Sequence, residues 1–377
     1  MSPRQLIDIA PPVERALLVG APRKGSAEAG QVHEHLDELA RLADTAGARV
    51  AGRVVQVVRR PAPDFYVGRG KVAEILGEVA SLGATMVIFD EELSPAQGKN
   101  LEEELKVRIM DRTELILDIF ALRAKSHEAR MQVELAQLEY MLPRLARMWT
   151  HLSRIRGGIG LRGPGETQLE TDRRMIRQKI GALKRKLGEV TDHRERVRAR
   201  TRDRGVLRVA LVGYTNAGKS SLLRALTGAE AHVEDRLFAT LDTQSREVGL
   251  GVRGEGLGTA RVRFTDTVGF IRKLPHGLVA SFRATLEEAL DADVVVHVVD
   301  VAHPDWLEQA QVVGEVLHEA GLDDGARVVV ALNKVDKLPS NEAESRLGTA
   351  RERGWEALLV SAAGGNGVRE LRSGFAG

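Results

Sequence analysis

The chain has 377 residues, a formal net charge of +2 and no cysteine. This length suffices for two or three domains with substantial cores. The absence of cysteine excludes disulfides and thiolate–metal sites. No apolar run approaches the roughly 18 residues of a membrane span, and the first residues do not follow a signal-peptide pattern. We therefore expect a cytoplasmic protein with no membrane span.

Positive charge is concentrated in one part of the chain. Residues 151–204 contain 16 lysines and arginines against 7 aspartates and glutamates. A strongly basic segment within an otherwise acidic chain is typical of elements that bind polyanions. A solvated helix face with an incidental excess of arginine would give the same count. Charge alone leaves both interpretations open.

Residues 1–110 predict a small N-terminal α/β domain. The apolar runs RALLVG (15–20), RVAGRVVQVV (49–58) and TMVIFD (85–90) alternate with amphipathic stretches of helical periodicity. A further helix is predicted around residues 95–105, and KVRIMD predicts another strand. This alternation of strands and helices predicts a mostly parallel sheet.

Residues 111–205 predict a long antiparallel helical hairpin. From residue 112 to 142 the chain has neither glycine nor proline, and its apolar residues recur at helical spacing. A glycine-rich run, GGIGLRGPGE (157–166), separates this segment from a second helical one. The second arm carries most of the basic residues and a coiled-coil-like apolar stripe, formed by Leu169, Ile176, Ile180, Leu183, Leu187 and Val190.

Residues 206–377 predict a P-loop domain with a doubly wound, mostly parallel sheet, because the continuous apolar runs suit strands buried on both faces. The strand VLRVALVG is followed by GYTNAGKS and then by a helical stretch. GYTNAGKS matches G-x-x-x-x-G-K-[ST] in the strand–loop–helix context that a P-loop requires. The predicted phosphate-binding residues are Gly213, Tyr214, Thr215, Asn216, Ala217, Gly218, Lys219, Ser220 and Ser221.

Five residues around this loop are predicted to carry the phosphate chemistry. Lys219 would place its charge on the β- and γ-phosphates, and the Ser220 hydroxyl would bind Mg²⁺. In DTVG, Asp266 is predicted to hold the Mg²⁺ shell, and Gly269 leaves its N–H for the γ-phosphate. Thr240, in FATLD, is placed to meet Mg²⁺ and the γ-phosphate. We expect Lys219, Thr240 and Gly269 to be catalytic, and Ser220, Thr240 and Asp266 to bind the metal.

The run NKVD (333–336) predicts specificity for guanine. The Asp336 carboxylate can accept hydrogen bonds from the guanine N1–H and its exocyclic amine, which adenine cannot supply. Lys334 can lie along the plane of the base, with Asn333 beside it in the same loop. Ser361 and Ala362, which follow the strand ALLV, complete the predicted base pocket. Together with the P-loop, these residues predict a guanine-nucleotide switch.

Two residues bear on the rate of hydrolysis. Phe270 follows DTVG, where Ras-like GTPases place a glutamine that orients water. Since a phenyl ring cannot orient water, we expect slow hydrolysis by the protein alone. Asn216 could hold a potassium ion near the phosphates, or it could only stabilise the tight turn. The sequence leaves both roles open.

The motifs resemble those of the HflX family of ribosome-associated GTPases over about residues 12–370. The P-loop motifs are joined to YVGRGKVAEI (66–75), VIFDEELSPAQ (87–97), DRTELILDIFALRA (111–124), VELAQLEYMLPRL (133–145) and GGIGLRGPGETQLE (157–170). The resemblance implies an N-terminal domain, a helical hairpin and a GTPase domain. It further implies GTP-dependent binding to the large ribosomal subunit and splitting of stalled or idle ribosomes, particularly under stress. The chain departs from the usual family run DPTTR, since it has DTQSR at 242–246.

The resemblance also gives the glycine-rich run an interpretation. The run lacks the preceding strand and the Lys-Ser pair of a P-loop, so it is either a flexible turn or a tip that contacts ribosomal RNA. For contact with RNA, the candidate residues are Arg162, Arg173 and Arg174. The N-terminal domain would be an ATP site or a ribosome-docking domain. We expect a monomer, and roles in hibernation or subunit assembly remain alternatives to splitting.

Overall fold

The computed structural model describes residues 13–145, 166–201, 206–228, 237–241, 243–250, 260–273, 288–323 and 325–375. The chain divides into two compact units. The first comprises residues 1–119 and 143–170, and the second comprises residues 120–142 and 171–377. The predicted tip of the hairpin, with Arg162, lies outside the described residues. The domain boundaries predicted at residues 110 and 205 remain predictions.

The first unit contains a parallel sheet flanked by helices, as predicted. Its strands pair in the order β2-β1-β3-β4, every pair parallel. The strands are β1 (Arg15–Gly20), β2 (Arg49–Val55), β3 (Met86–Phe89) and β4 (Arg108–Asp111). The connecting helices are α1 (Val32–Thr45), α2 (Arg69–Leu82) and α3 (Pro95–Leu105).

Local sequence signals account for these helices. On α2, Val72, Ile75 and Val79 are buried at the helical spacing of an amphipathic face. Before α3, the Ser94 hydroxyl accepts from the Gln97 N–H while the Gln97 side chain accepts from the Ser94 N–H. This reciprocal capping, with proline in the first turn, begins α3 at a defined residue.

The run YVGRGK forms the entry to α2 and not a phosphate-binding loop after a strand. Tyr66 is buried and has a left-handed backbone, with φ of 67°. Burial, with a smaller contribution from Glu91, raises the pKa of Tyr66 to about 12. Gly68 then caps the N-terminus of α2 without a side-chain hydrogen bond. The alternative of an ATP site in this domain stays a prediction.

Helix α4 (Arg112–Arg123) starts in a buried ionic network of the first unit. Arg112 is only 2 % exposed, and its guanidinium pairs with Asp90 at 2.8 Å and with Glu38. Loss of one partner of such a buried set leaves an uncompensated charge, which is strongly destabilising. The network therefore fixes the first turn of α4.

The first arm of the predicted hairpin consists of two helices. The prediction of one continuous helical segment from residue 112 to 142 was therefore wrong. Helix α4 ends at Arg123, and α5 spans His127–Met141. The Ser126 hydroxyl accepts from the Ala129 N–H at 3.1 Å and caps α5. A serine cap can thus restart a helix where neither glycine nor proline interrupts the pattern.

The second arm is the single helix α6 (Glu166–Thr201). Four members of the predicted apolar stripe pack against α5, which confirms that part of the stripe. The cluster consists of Met131, Leu135, Leu138, Ile180, Leu183, Leu187 and Val190. Lys184 pairs with Glu139 at 2.8 Å, and Lys179 pairs with Glu134. Among the described residues, no helix is long and apolar enough to cross a membrane.

The second unit contains the predicted doubly wound sheet, with strands in the order β10-β9-β8-β5-β7-β6. The strands are β5 (Val206–Gly213), β6 (Gln244–Leu250), β7 (Ala260–Asp266), β8 (Val294–Asp300), β9 (Arg327–Asn333) and β10 (Glu356–Leu359). The helices are α7 (Lys219–Thr227), α8 (Trp306–Ala320), α9 (Ser340–Glu352) and α10 (Val368–Ser373).

The strand order places a ligand crevice at β5. Its neighbours β7 and β8 lie on opposite sides and are both parallel to it. In open parallel sheets, ligands bind beyond the carboxyl ends of the strands at such a switch point. Strand β6 pairs antiparallel with β7 at the edge of the sheet and was not predicted.

Candidate functional site

The loop between β5 and α7 has the backbone of a P-loop. Gly218 has φ of 95°, and a Cβ atom there would lie 2.3 Å from Nδ2 of Asn333, so the position requires glycine. The loop borders a pocket whose lining combines P-loop residues with residues of two further segments. These are Thr215, Asn216, Gly218, Lys219, Ser220, Ser221, Phe238, Ala239, Thr240 and Gly269.

Lys219 points back over the loop that carries it. Its Nζ donates to the carbonyl oxygens of Gly213 at 3.1 Å and Tyr214 at 3.0 Å. The side chain is buried, and this burial lowers the pKa of Lys219 to about 8, although the nearby Asp266 opposes the shift. A buried cation whose pKa lies near neutrality makes ligand binding sensitive to pH.

The three predicted metal ligands meet at one point. Oγ of Ser220 lies 2.6 Å from Oδ2 of Asp266 and 2.8 Å from Oγ1 of Thr240. Asp266 is fully buried, and burial raises the pKa of its carboxyl. Its other oxygen, Oδ1, is buried without a hydrogen-bond partner within the part of the chain that the structure describes. One carboxylate with an unsatisfied oxygen and two hydroxyls is a donor set that fits Mg²⁺.

Thr215 connects the P-loop to both neighbouring segments. Its N–H donates to the carbonyl oxygen of Phe270 at 2.6 Å, and its hydroxyl accepts from the N–H of Phe238 at 2.9 Å. Gly269 approaches so closely that a Cβ atom there would lie 2.7 Å from Cα of Thr215. The sequence motif identifies Thr215 as part of the loop but gives no sign of this bridging role.

The loop that carries NKVD (333–336), here called the base-reading loop for its predicted role, is braced against the P-loop through Asn333. Its Nδ2 donates to the carbonyl oxygen of Ala217 at 2.9 Å, and its Oδ1 accepts from the N–H of Ala362 at 3.0 Å. Ser361 is buried, and its hydroxyl donates to Oδ1 of Asp336. Asp336 itself is exposed. The structure thus brings together all the predicted base-pocket residues and gives Asn333 a bracing position between the two loops.

Sequence reasoning missed Asp300, which positions Lys334. Nζ of Lys334 donates to Oδ2 of Asp300 at 2.7 Å and to the carbonyl oxygen of Asn216 at 2.8 Å. Asp300 ends β8 and lies opposite Asn333 of β9. A carboxylate at the end of a buried strand beside the NKVD strand is the signal that could have identified it.

The two residues with a predicted effect on hydrolysis differ in exposure. Phe270 is buried, and its N–H donates to the carbonyl oxygen of Gly213 at 3.1 Å. Asn216 is exposed and has a left-handed backbone, with φ of 61°. The buried ring of Phe270 offers no polar atom for orienting water. Both the cation-binding and the turn-stabilising role of Asn216 are compatible with its position.

Two of the three predicted RNA-contact residues lie on α6, where Arg173 is half-buried and Arg174 is exposed. The third, Arg162, lies outside the described residues. Part of the positive charge of α6 is already paired within the hairpin, through Lys179 and Lys184. Arg174 is therefore a stronger candidate for an external anion than these two lysines.

Three family models match successive parts of the chain. Residues 33–121 match "GTP-binding GTPase N-terminal", residues 123–201 match "GTP-binding GTPase Middle Region", and residues 208–334 match "50S ribosome-binding GTPase". The three matches follow the order of the N-terminal sheet, the helical segment and the P-loop domain.

Curated relatives match along most of the chain. GTPase HflX of Caldanaerobacter subterraneus subsp. tengcongensis is 50% identical over 331 residues, which cover 88% of this chain and 74% of the relative. GTPase HflX of Escherichia coli (strain K12) is 44% identical over 338 residues, with 90% and 77% covered. A crystal structure of SsGBP in complex with GDP matches with a TM-score of 0.52 and 25% identity, covering 96% of this chain and 97% of that one. The chain therefore belongs to the HflX family of GTPases, enzymes that bind and hydrolyse GTP.

Proposed function

We propose that this GTPase binds the large ribosomal subunit when it carries GTP, and that it splits stalled or idle ribosomes under stress. The observation that carries the proposal is the match of residues 208–334 to a family described as 50S ribosome-binding GTPases. The exposed Arg174 and Arg177 on α6 support it, because contacts to phosphate dominate the affinity of proteins for RNA.

In this proposal the nucleotide lies across the carboxyl ends of the strands. The P-loop surrounds the phosphates with its backbone N–H groups, and Lys219 supplies the positive charge. Asp336 accepts from the guanine edge, and Lys334, held by Asp300, lies along the base. The bonds of Asn333 to both loops support a fixed distance between the phosphate and base subsites.

Ser220, Thr240 and Asp266 would hold Mg²⁺ in this site. When bound, the ion neutralises charge on the β- and γ-phosphate oxygens and orients them. The hydroxyl of Thr240 is 2.8 Å from that of Ser220, so a modest movement of the segment around Thr240 would make or lose this ligand. The segment 237–241 would therefore act as the switch that reports the γ-phosphate.

Hydrolysis is proposed to be slow without a partner, because Phe270 is buried and cannot orient water. We assign Asn216 to a potassium site beside the phosphates. Replacing sodium by potassium should then increase the rate of hydrolysis, and Asn216→Ala should abolish the increase. Equal rates in both salts for the unaltered protein would remove potassium from the proposal.

Sedimentation of intact ribosomes in a density gradient tests the splitting activity. The protein is added with a non-hydrolysable GTP analogue, with GTP or with GDP. Separate subunits with the analogue but not with GDP would support splitting by binding, with hydrolysis reserved for release. Intact ribosomes that carry the protein would instead indicate a hibernation factor. In a parallel gradient with immature large subunits, binding confined to those subunits would indicate an assembly factor, and either result would overturn splitting.

A further inference from the structure

The segment around Thr240 is anchored by Phe238, a buried residue with an unusual backbone. Phe238 is 1 % exposed and has φ of 54°. Bulky residues rarely adopt this left-handed conformation, which persists only when the surroundings enforce it. One enforcing contact is the hydrogen bond from the N–H of Phe238 to the hydroxyl of Thr215, at 2.9 Å. Thr240 follows two residues later.

The second anchor comes from outside the P-loop fold. The ring of Phe120, on α4, meets the ring of Phe238 edge to face, with centroids 4.6 Å apart and an interplanar angle of 84°. Phe120 is also buried, with 1 % exposure. This geometry is the favourable one for two aromatic rings, whose positive edges and negative faces attract. The side chain of Phe238 is thus held by α4 while its backbone is held by the P-loop.

We infer that Phe120 is a positioning residue for GTP hydrolysis, since it holds Phe238 and thereby places the Thr240 hydroxyl beside Ser220. The inference rests on the proposed role of Thr240 at the metal and γ-phosphate. It gives α4, a helix that precedes the P-loop fold by more than 80 residues, a direct part in the switch.

A positioning role for Phe120 concerns the rate of hydrolysis and not the affinity for GDP. A purely structural role would change both properties together. In the proposed function, GDP is held by the P-loop and the loop that carries NKVD, whereas the ring of Phe120 packs on Phe238. Hydrolysis additionally depends on the position of Thr240. Weakening the aromatic contact should therefore lower the rate of hydrolysis and raise the Mg²⁺ concentration required, while the affinity for GDP stays unchanged.

The test uses the full chain with Phe120→Leu, a substitution that keeps an apolar side chain of similar volume and is tolerated in many cores. An aromatic pair of this kind contributes enough to change a rate roughly two- to tenfold. We expect a fall of that size in single-turnover hydrolysis, a higher half-saturating Mg²⁺ concentration and unchanged GDP affinity. Phe238→Leu should produce the same change, and the double variant should be no slower than either single variant.

Phe375→Leu is the matched control. Phe375 forms a similar edge-to-face pair with Phe264, with centroids 5.7 Å apart, and lies outside the pocket lining. It should match the thermal stability loss of Phe120→Leu but leave hydrolysis and Mg²⁺ dependence unchanged. Equal hydrolysis in the two variants would overturn the inference. Thr240→Ala is assayed alongside to identify which assumption fails. If Thr240→Ala does not slow hydrolysis, the proposed role of Thr240 is wrong. If Thr240→Ala slows hydrolysis but Phe120→Leu does not, the role of Phe120 is wrong.

Discussion

In the proposed base pocket, the carboxylate of Asp336 would determine which base is bound. Ser361 already donates to Oδ1 of Asp336, which orients the carboxylate within the exposed loop. In Asp336→Asn, an amide N–H₂ would replace one of the two carboxylate oxygens that face the N–H groups of guanine. Two hydrogen-bond donors would then face each other with no acceptor between them. An unpaired donor at such a contact costs enough to lower GTP affinity roughly 100-fold.

Competition binding with GTP, xanthosine triphosphate and ATP measures this change. Xanthine carries an oxygen where guanine has its amine, so Asp336→Asn should recover part of its affinity for the xanthine nucleotide. Glu344→Gln, the same chemical change on exposed α9, serves as the control. Unchanged GTP affinity in Asp336→Asn would exclude Asp336 from the base pocket.

The ammonium of Lys219 should make nucleotide affinity depend on pH. Its pKa of about 8 means that the free protein loses this charge between pH 7 and 9.5. Anionic phosphates favour the charged form, so GDP affinity should fall on the order of tenfold across this range. Titration of GDP affinity against pH gives the result. Lys219→Arg, which does not titrate there, should bind with little pH dependence, whereas a flat profile in the unaltered protein would refute the assignment.

The lowered pKa of Lys219 also determines whether the free energy of unfolding rises or falls with pH. The folded-state pKa lies below the ordinary value of 10.5, so burial of the charged lysine opposes folding at pH values below about 8. This penalty is relieved as the pH rises from about 8 toward 10.5. The contribution of Lys219 to the free energy of unfolding of the nucleotide-free protein should therefore increase over that window.

At the residue scale, contiguous motifs could be predicted and long-range partners could not. GYTNAGKS specifies its chemistry within eight consecutive residues, and the structure forms the expected loop. Asp300 and Phe120 act through partners 34 and 118 positions away, Lys334 and Phe238. Phe120 resembles any other core side chain in the sequence, and Asp300 is distinguished only by the pairing of its strand with the NKVD strand.

At the scale of elements, the buried strands were predicted because both of their faces require apolar residues. Strand β6 was missed, since an edge strand can carry polar side chains. Its Glu247 pairs with Arg261 and Arg263 of β7 at 3.2 and 3.3 Å. The break between α4 and α5 was missed for a different reason. A serine such as Ser126 can cap a new helix or lie on the exposed face of a continuous one, so its presence does not reveal a break.

The proposed role of helix α6 in binding RNA can be tested by removing its positive charges. Arg173→Ala with Arg174→Ala removes two charges that would contact ribosomal phosphates, and adding Arg162→Ala extends the change into the glycine-rich tip. Each lost contact should reduce the slope of log affinity against log salt by about one unit or less. GTP affinity should not change, because neither Arg173 nor Arg174 is among the described residues that line the pocket at the P-loop.

Lys179→Ala with Lys184→Ala is the matched control, since it also removes two positive charges from α6. Those lysines are paired with Glu134 and Glu139, so their loss should change the salt slope less. Large subunits bound at several salt concentrations provide the slopes. If the arginine variant keeps its full affinity for large subunits and its full salt slope, the hairpin does not bind RNA. It would then be a spacer, and its tip would be only a turn.

At the scale of the whole molecule, the proposed function couples a guanine-nucleotide site to a ribosomal partner. Linkage requires that coupling between two ligands be reciprocal: if GTP strengthens binding of the large subunit, the subunit strengthens binding of GTP by the same factor. Coupling factors of about 5 to 150 are typical of such switches. Family models match three successive segments of the chain, so the proposed coupling is best tested on the full chain.

The most direct measurement is the affinity of the full chain for isolated large ribosomal subunits at fixed salt, with a non-hydrolysable GTP analogue and with GDP. A GTP-dependent switch should bind the subunit at least about tenfold more tightly with the analogue than with GDP. The affinity for the analogue should rise by the same factor when subunits are present. Equal affinity for the subunit in both nucleotide states would contradict a GTP-dependent switch acting on the large subunit.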